Sequence, residues 1–350
     1  MVLSGHLIKF PYWCCWQIQR LLDKLDGIVF YVESEHDYFI MEYMLPHIRE
    51  PYKIMARNKK VAGKLLERGV KTTVWPGFPS FLVMTRHAFH RFPIHTIKKI
   101  GLRHGPYHFK RMIHSKKYNA FDLFLFTSET ETTIAAKKGI VCGVAGGYPR
   151  LDAFRDQKTI QQCRLLSKKT GFDNKKPNLL FTSTWDKSGM SGIDHWVDRL
   201  HELTAQYNVM VSLHPMMAQS YVLKVKNTPG ILLVGSEELP AHMLLADFLV
   251  SDTSSVIAEF CALNKPIITF RMPSVKRLTP EIQQMISDIS LQITRIEELK
   301  GAVNHYLEQP DFKRSNREYW NKIIFDDPLI SHGARAAQIV NDFIAQHKNQ

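Results

Sequence analysis

Short apolar segments recur along this chain, and most of them end in polar or glycine-rich residues. Five lie in the first half, at residues 27–32, 71–77, 81–85, 98–105 and 122–128. Five more lie in the second half, at residues 178–185, 208–215, 230–235, 247–252 and 266–270. Strands that are apolar along nearly their whole length and alternate with helix-length segments are typical of parallel sheets covered on both faces. The pattern predicts an α/β fold with two Rossmann-like domains, whose parallel sheets face each other across a cleft.

A glycine-rich and then polar segment, residues 143–178, separates the two sets of strands and is typical of a crossing between domains. With 350 residues, 45% of them hydrophobic, the chain is long enough to form two cores. We expect an N-terminal domain over residues 1–155, a second domain over 156–330, and a C-terminal helix at 331–350 that packs back across both. Open parallel sheets bind ligands beyond the carboxyl ends of their strands, so functional residues are expected there.

The net charge of +13 is concentrated in one part of the sequence. Residues 51–120 contain 16 Lys or Arg and a single acid, Glu67, which gives this segment a charge of +15 and leaves about −2 for the rest. A solvated surface is the ordinary explanation of a charge run, but a segment this long with one acid favours an anionic partner. The candidates are nucleic acid, a phosphorylated substrate and an acidic membrane surface.

The sequence carries no sign of a membrane span or of secretion. No apolar run reaches the roughly 18 residues of a spanning helix, and the N-terminal residues lack the features of a signal peptide. We therefore expect a cytosolic protein. An odd number of cysteines without a CxxC pair favours reduced thiols over a disulfide framework or a zinc site. These are Cys14, Cys15, Cys142, Cys163 and Cys261. Neither a cofactor nor a metal is expected.

The first predicted helix, residues 12–25, is amphipathic. Its apolar side consists of Cys14, Ile18, Leu21 and Leu25. Such a stripe ordinarily packs on a sheet, and that is the first interpretation. Aromatic residues beside basic ones, with Trp13 and Trp16 near the start, are also typical of a helix at a membrane interface, which is the second interpretation.

Residues 250–270 combine a buried strand with a turn crowded with polar side chains. The turn contains Asp252, Thr253, Ser254 and Ser255, and a helix is predicted to begin near Ser254. Helix capping by Asp252 or Thr253 would explain one of these residues and leave the other hydroxyls without a task. We therefore expect Ser254 and Ser255 to contact a phosphate, with Asp252 organising the turn.

Glu259 lies four residues beyond Ser255, on the same face of the predicted helix. Its carboxylate could accept hydrogen bonds from a ribose diol, or it could simply face solvent. The residues alone do not separate these two interpretations.

Several motifs follow one another in a specific order. They are His104-Gly105, the segment Gly147-Tyr148-Pro149-Arg150-Leu151-Asp152, His214-Pro215, and Ser251-Asp252-Thr253-Ser254-Ser255 followed by Glu259 and Asn264-Lys265-Pro266. Together they resemble the CDP-glycerol glycerophosphotransferase family of teichoic-acid and capsule synthesis, whose fold is GT-B-like, over roughly residues 95 to 335. Three positions depart from the family pattern: Thr253 replaces a common Tyr, Glu259 replaces a common Asp, and Thr184-Trp185-Asp186 only approximates a Thr-Trp-Arg segment.

The resemblance implies transfer of a polyol phosphate, most directly glycerol phosphate, from CDP-glycerol or a related CDP-alditol with release of CMP. The implied acceptor is a hydroxyl of a polyprenyl-diphosphate-linked saccharide or of a growing polymer, in cell-wall or capsule synthesis. His214 would contact the donor phosphate and His104 would act as general base, since a histidine exchanges protons near neutral pH. The donor-binding residues would be Asp252, Thr253, Ser254, Ser255 and Glu259.

The basic segment around His104 then has a function in the N-terminal domain. It would bind the acceptor or the anionic inner leaflet, with the protein peripheral on the inner face of the cytoplasmic membrane. The residues concerned are Lys98, Lys99, Arg103, Lys110, Arg111, Lys116 and Lys117.

Two other functions are compatible with parts of the pattern. A nucleotide-sugar-dependent glycosyltransferase or epimerase can have the same fold, because fold does not determine chemistry. A basic nucleic-acid-binding protein would explain the charge but neither the two sets of strands nor the hydroxyl-rich turn, so no nucleic acid is expected as a partner.

Overall fold

The computed structural model describes residues 3–106, 114–273 and 278–348, and it describes side chains from residue 9 onward. The predicted acceptor-binding residues Lys110 and Arg111 lie outside this part of the chain. Two compact units are present. Unit 1 contains the chain up to His104, the segment that ends at Arg150, and the chain from Leu329 onward; unit 2 contains Leu151–Pro328. The sequence placed these divisions after residues 155 and 330.

The strands of the described residues are, in chain order, β1 (Ile28–Val32), β2 (Tyr52–Ala56), β3 (Thr73–Val74), β4 (Phe81–Met84), β5 (Lys98–Leu102), β6 (Leu123–Phe126), β7 (Gly143–Ala145), β8 (Asn178–Ser183), β9 (Asn208–Leu213), β10 (Ile231–Leu233), β11 (Phe248–Ser251), β12 (Ile267–Phe270) and β13 (Leu291–Ile293).

The α-helices of the same residues are α1 (Leu3–Leu21), α2 (Glu35–Met41), α3 (Lys59–Leu66), α4 (Ser115–Tyr118), α5 (Glu129–Lys137), α6 (Gln157–Lys169), α7 (Leu200–Leu203), α8 (Gln219–Asn227), α9 (Leu239–Leu245), α10 (Val256–Cys261), α11 (Pro280–Ile289), α12 (Leu299–Glu308), α13 (Arg314–Phe325) and α14 (His332–His347).

Unit 1 is built on a parallel sheet with strand order β3-β2-β1-β4-β5-β6-β7. All five residues of β1 and all four of β4 are buried, as expected for central strands covered on both faces. Each face carries its own apolar cluster. Helix α14 contributes Ala336, Ala337, Val340 and Ile344 to one of them, so the C-terminal helix completes the core of unit 1.

Unit 2 contains a second parallel sheet, with strand order β10-β9-β8-β11-β12-β13. Its central strands are equally apolar, and Val250 of β11 lies opposite Phe181 of β8. The large indole of Trp196 is fully buried in the core beside Phe181, with ring centroids 5.2 Å apart. The predicted fold class, α/β with two Rossmann-like parallel sheets, is confirmed.

The ten apolar segments all contain strands, but the sequence pattern missed β2, β7 and β13. Strand β2 begins with two exposed residues, Tyr52 and Lys53, so it lacks the continuous apolar run of its neighbours. Strands β7 and β13 have three residues each, too few for a periodicity to appear. Strand β7 also lies in the glycine-rich segment that the sequence assigned to the crossing between domains.

Helix α1 packs through a different face from the one predicted. Tyr12 and Trp16 are buried, and their polar atoms bond backbone carbonyls: Tyr12 Oη donates to Gly77 O at 2.6 Å and Trp16 Nε1 to Pro79 O at 3.0 Å. Within the predicted packing stripe, Ile18 is 53% and Leu21 is 85% exposed, and Leu25, beyond the end of the helix, packs against the core. Large aromatic rings bury more area than the aliphatic residues opposite, and their single donors find partners here. The packing prediction was wrong for this face.

The segment that ends unit 1 is held by the start of α14. Gly147 adopts a φ of +83°, which side chains disfavour, and a Cβ there would lie 2.5 Å from the His332 ring. The backbone N–H of Tyr148 donates to Nδ1 of His332 at 3.2 Å. Both Tyr148 and His332 are buried, so this contact fixes the backbone that leads into Arg150.

No helix in the described residues is both long enough and apolar enough to cross a membrane.

Candidate active site

The candidate site in unit 2 lies where the strand order of its sheet reverses. Strands β8 and β11 are neighbours, but the chain leaves them toward opposite edges of the sheet. Such a reversal opens a crevice at the carboxyl ends of the two strands, which is where open α/β sheets bind ligands. The polar turn that begins at Asp252 follows β11 directly, and Thr184 follows β8.

The buried carboxylate of Asp252 connects the ends of β8 and β11 through hydrogen bonds. Its carboxylate accepts hydrogen bonds from Ser183 Oγ at 2.6 Å and from the backbone N–H of Gly192 at 2.8 Å. It also accepts from the backbone N–H groups of Thr184, Thr253 and Ser254. Both carboxylate oxygens are therefore occupied by donors of the protein itself. Asp252 organises the turn and the loop that follows β8.

The environment of Asp252 acts on its pKa in two opposing directions. Burial raises the pKa, since the side chain is almost completely removed from water, and this effect is the largest. The bonds from Ser183 and from the backbone N–H groups of Gly192, Thr184 and Thr253 lower it. These donors compensate the carboxylate for much of the water it has lost.

The hydroxyls of the turn lie ahead of a short helix. Helix α10 begins at Val256, two residues later than predicted, and has only six residues. Neither Asp252 nor Thr253 caps it, because its N-cap position is Ser255. Ser254 is buried and Ser255 is half-buried. Glu259 is also buried, so the interpretation of a solvent-facing acid was wrong.

His214 follows β9, the strand on the other side of β8, and its ring is exposed. The backbone N–H of Met216 donates to its Nδ1 at 3.1 Å. A ring nitrogen that accepts a hydrogen bond carries no proton, so the neutral ring holds its proton on Nε2. Nε2 is then a donor, which is the form suited to a phosphate oxygen.

Unit 1 has a corresponding reversal of strand order between β1 and β4, and Asp37 lies there. The Asp37 carboxylate accepts from the backbone N–H and the hydroxyl of Ser34, both at 2.9 Å, at the end of β1. At the end of β4 it accepts from Thr85 Oγ1 at 2.7 Å and Arg86 Nε at 2.8 Å. Asp37 is fully buried, and these bonds and the Arg86 charge outweigh burial, so its pKa is lowered.

His104 lies two residues beyond β5, the neighbour of β4, and is exposed. His36 contacts it through the backbone: its Nε2 lies 3.3 Å from the His104 carbonyl oxygen. Burial first, and then the positive charge of Arg150, lower the pKa of His36 to about 4. His36 is thus neutral near pH 7, and the nitrogen that faces the carbonyl carries the proton. It holds the backbone of the candidate general base.

Sequence reasoning missed both Asp37 and His36. A signal was present, because Ser34 and Asp37 form a capping box at the start of α2, directly after β1. That pattern predicts a helix start, but nothing in it indicates that the same carboxylate reaches Thr85 and Arg86 on another strand.

Two of the predicted acceptor-binding cations have other functions. Lys99 is buried and its Nζ donates to the carbonyls of Ile94 and Ile97, at 2.6 and 3.1 Å. Arg103 Nε lies 2.8 Å from a carboxylate oxygen of Glu131, which is also buried. Assigning these two residues to an anionic surface was wrong, because their charges are satisfied inside unit 1.

The remaining predicted cations of the described residues differ in whether an acid of the protein offsets their charge. Lys98 Nζ lies 3.6 Å from the Asp122 carboxylate, so part of its charge is offset. Lys116 and Lys117 are exposed on α4 and are available to an anionic partner. Within the described ranges, His, Cys, Asp and Glu side chains form no group of three that could hold a metal ion.

Two parallel sheets with polar side chains at their reversal points define an α/β protein of the Rossmann-like class. Within that class, the family model of CDP-glycerol:poly(glycerophosphate) glycerophosphotransferase matches residues 82–275, more than half of the chain. The chain belongs to this family of transferases.

Two curated relatives are named as teichoic acid polymerases. The chain is 26% identical over 267 residues to a teichoic acid poly(ribitol-phosphate) polymerase of Bacillus spizizenii, a match that covers 67% of this chain and 42% of the relative. It is 22% identical over 214 residues to a teichoic acid poly(glycerol phosphate) polymerase of Bacillus subtilis, a match that covers 57% of this chain and 28% of the relative. The matches thus span less than half the length of these relatives.

Solved structures share the fold. The wall teichoic acid polymerase TagF, in a structure with CDPG, superposes with a TM-score of 0.64 at 15% identity, covering 98% of both chains. A UDP-GlcNAc 2-epimerase from Neisseria meningitidis gives a TM-score of 0.61 at 10% identity, covering 91% of this chain and all of the epimerase chain. At these identities the likeness concerns the fold alone.

Replacing Asp252 by Asn should destabilise unit 2. An amide presents one oxygen and one NH₂ group to donors that now face two carboxylate oxygens, so some of them lose their acceptor. We expect a loss of about 2–3 kcal/mol in the free energy of unfolding. Urea unfolding would measure it. Asp198→Asn is the matched control, because Asp198 is 68% exposed and its surface pair with Lys224 contributes about 0–1 kcal/mol. Equal stability of the two variants would contradict the structural function of Asp252.

His36 should make the stability of unit 1 depend on pH. Its pKa is about 4 in the folded chain and about 6.5 when unfolded, so the unfolded state takes up the proton first. Stability contributed by the neutral ring is complete above pH 6.5 and is lost as the pH falls toward 4. His36→Gln, which does not titrate, should gain a few degrees in Tm relative to wild type between pH 7 and pH 5. A Tm difference that stays constant with pH would contradict this. Arg150, Arg86 and Asp37 are unchanged in this comparison.

Proposed function

We propose that this chain transfers a polyol phosphate, most directly glycerol phosphate, from a CDP-alditol to a hydroxyl of a lipid-linked saccharide or growing polymer, and releases CMP. The observation that carries the proposal is the turn from Asp252 to Ser255, which lies at the strand reversal of unit 2 in a chain that belongs to the glycerophosphotransferase family. Curated relatives named as poly(ribitol-phosphate) and poly(glycerol phosphate) polymerases support the reaction class.

The donor binds to unit 2 in this proposal. Ser254 and Ser255 donate hydrogen bonds to phosphate oxygens, and Nε2–H of His214 donates to the same diphosphate. Glu259 accepts from the ribose hydroxyls. Since Asp252 holds the turn rigidly, these groups are positioned before the reaction begins. Negative charge that develops on the transferred phosphoryl group is then stabilised without reorganisation of the protein.

The acceptor hydroxyl is activated from unit 1. His104 removes its proton, the hydroxyl oxygen attacks the β-phosphorus of the donor, and the bond from that phosphorus to the oxygen that CMP retains breaks. One P–O bond thus forms and one breaks, and the proton of the acceptor hydroxyl stays on the His104 ring. The neutral His36 next to the His104 carbonyl adds no positive charge that would oppose protonation of the base.

Epimerisation of a nucleotide sugar is the second candidate function, because a UDP-GlcNAc 2-epimerase shares the architecture. The two functions differ in a product: only the phosphotransferase releases CMP from a CDP-alditol in the presence of an acceptor. Family membership and the hydroxyl turn favour the phosphotransferase.

Attachment to the inner face of the cytoplasmic membrane belongs to the same proposal. Phe10, Cys14, Ile18 and Leu21 follow one another on α1 at three- or four-residue steps, and Trp13 stacks on Phe10 with ring centroids 6.2 Å apart. This face is apolar and turned away from the core of unit 1. Basic residues lie beside it on the same helix, Lys9 and Arg20 among them. An amphipathic helix of this kind binds the interface of an anionic bilayer.

Truncation of His104 and truncation of His214 should impair different properties of the enzyme. His104→Ala should lower the rate of CMP release about 100- to 10,000-fold and leave CDP-glycerol affinity unchanged, because a base acts only in the transition state. His214→Ala should weaken donor affinity as well as the rate. Calorimetry with CDP-glycerol and a CMP-release assay with a lipid-linked acceptor would measure both, with circular dichroism to verify folding. Near wild-type turnover by His104→Ala would exclude it as the base.

Purified protein should float with vesicles that contain anionic lipid and should detach as salt is added, because screening shortens the range of surface attraction. Trp13→Ser with Leu21→Ser should lower the bound fraction at low salt. Leu165→Ser is the matched control, since Leu165 is an exposed leucine on α6. Equal flotation of the double variant and the control would exclude α1 as the attachment site. Binding to neutral vesicles that resists salt would indicate insertion without an electrostatic contribution.

A further inference from the structure

A cavity of about 410 Å³ lies in unit 2 directly beside the hydroxyl turn. Its wall begins at Asp252 and Thr253 and continues along the carboxyl end of β12, the middle of β13 and one side of α11. The volume falls within the about 300–1,000 Å³ typical of small-molecule sites. Neither the proposed contacts of the diphosphate nor those of the ribose account for this space.

Among the described residues the cavity wall carries two charged side chains, Asp252 and Arg271, and its other polar side chains are neutral. Gln283, Gln284, Ser287 and Gln292 present amide and hydroxyl groups, and Arg271 is the cation. Among the described residues, the side chains of Ser287 and Gln292 make no hydrogen bond within the protein, so their polar groups are available to a ligand. Amides and hydroxyls both donate and accept, which suits a molecule rich in hydroxyl groups.

The same wall suits a cationic alcohol poorly. Asp252 is the carboxylate that lines the cavity, and both of its oxygens already accept bonds from the protein. The aromatic ring in the wall is that of Phe270, and His195 stacks on it with ring centroids 5.3 Å apart. A quaternary ammonium group is normally bound by carboxylates or by several aromatic faces. The described lining offers one aromatic side chain, Phe270, and one carboxylate, Asp252, whose oxygens are already bonded to the protein.

We propose that this cavity binds the polyol portion of the CDP-alditol donor, and that Gln292 and Ser287 are specificity-determining residues for it. The inference rests on the proposed function. Thr253 joins the two sites, since it lines the cavity and directly precedes Ser254. A phosphate at Ser254 and Ser255 therefore places the alcohol esterified to it at the Thr253 end of the cavity.

The depth of the cavity also selects for chain length. The lining extends from Thr253, which follows β11, across β12 to Gln292 on β13, so it crosses two strand spacings of about 4.8 Å each. A three-carbon polyol contacts the Thr253 end, whereas a five-carbon alditol reaches the amides of the far wall. The cavity thus accepts CDP-ribitol, and Gln292 contributes more to the binding of CDP-ribitol than to that of CDP-glycerol.

Calorimetry on the full chain tests this with CMP, CDP-glycerol, CDP-ribitol and CDP-choline. Gln292→Leu keeps the size of the side chain and removes its hydrogen bonds, and Ser287→Ala removes one hydroxyl. We expect each variant to weaken CDP-ribitol binding about three- to tenfold and to leave CMP binding unchanged. Gln161→Leu is the matched control on the exposed surface of α6. In the wild type, CDP-choline should bind no better than CMP.

The outcomes separate this inference from the proposed function. If the wild type binds neither CMP nor any CDP-alditol, the proposed function fails. If the wild type binds CDP-alditols but Gln292→Leu and Ser287→Ala bind CDP-ribitol as tightly as the control does, the function stands and the cavity assignment is overturned. Equal loss of affinity for CMP and CDP-ribitol would likewise overturn it, because the residues would then contact the nucleotide.

Discussion

A buried carboxylate joins the two central strand ends of each sheet, and the candidate sites depend on it. In a parallel sheet whose strand order reverses, no backbone ladder connects the loops that leave the two central strands, so something else must fix them. Asp252 does this in unit 2 by bonding Ser183 after one strand and Ser254 after the other. Asp37 does it in unit 1 by bonding Ser34 and Thr85. A carboxylate is suited to the task because it accepts from several donors at once.

This arrangement separates the residues that hold the site from those that could react. Asp37 and Asp252 are buried and saturated, whereas His104 and His214 are exposed. A catalytic group needs access to substrate, but it also needs a fixed backbone, since a small displacement is costly in rate. The His36 ring beside the His104 carbonyl provides such a restraint in unit 1. In unit 2 the bond from Met216 to His214 restrains the ring itself and sets its tautomer.

The sequence predicts those features that depend on local pattern. Central strands are continuous apolar runs, so the two sheets were predictable, and so was the polar turn after β11. Features that depend on contacts distant in sequence were not predictable. Lys99 and Arg103 look like surface cations in a basic segment until Ile94 and Glu131 are placed beside them. The outward face of α1 depends likewise on where Gly77 and Pro79 offer their carbonyls to its aromatic residues.

The departure from the family pattern at Thr184-Trp185-Asp186 has a structural explanation. The backbone N–H of Thr184 bonds Asp252, so the segment still closes the turn. The Asp186 carboxylate accepts from the backbone N–H of Ala218 at 3.2 Å, at the start of α8. Asp186 therefore links the loop after β8 to the loop that carries His214, where the family commonly has the cation of an arginine. With the proposed donor bound, position 186 brings no positive charge to the diphosphate. Stabilisation of the diphosphate charge then depends on His214 and on the hydroxyls of the turn. Each of those contacts therefore contributes more to donor binding.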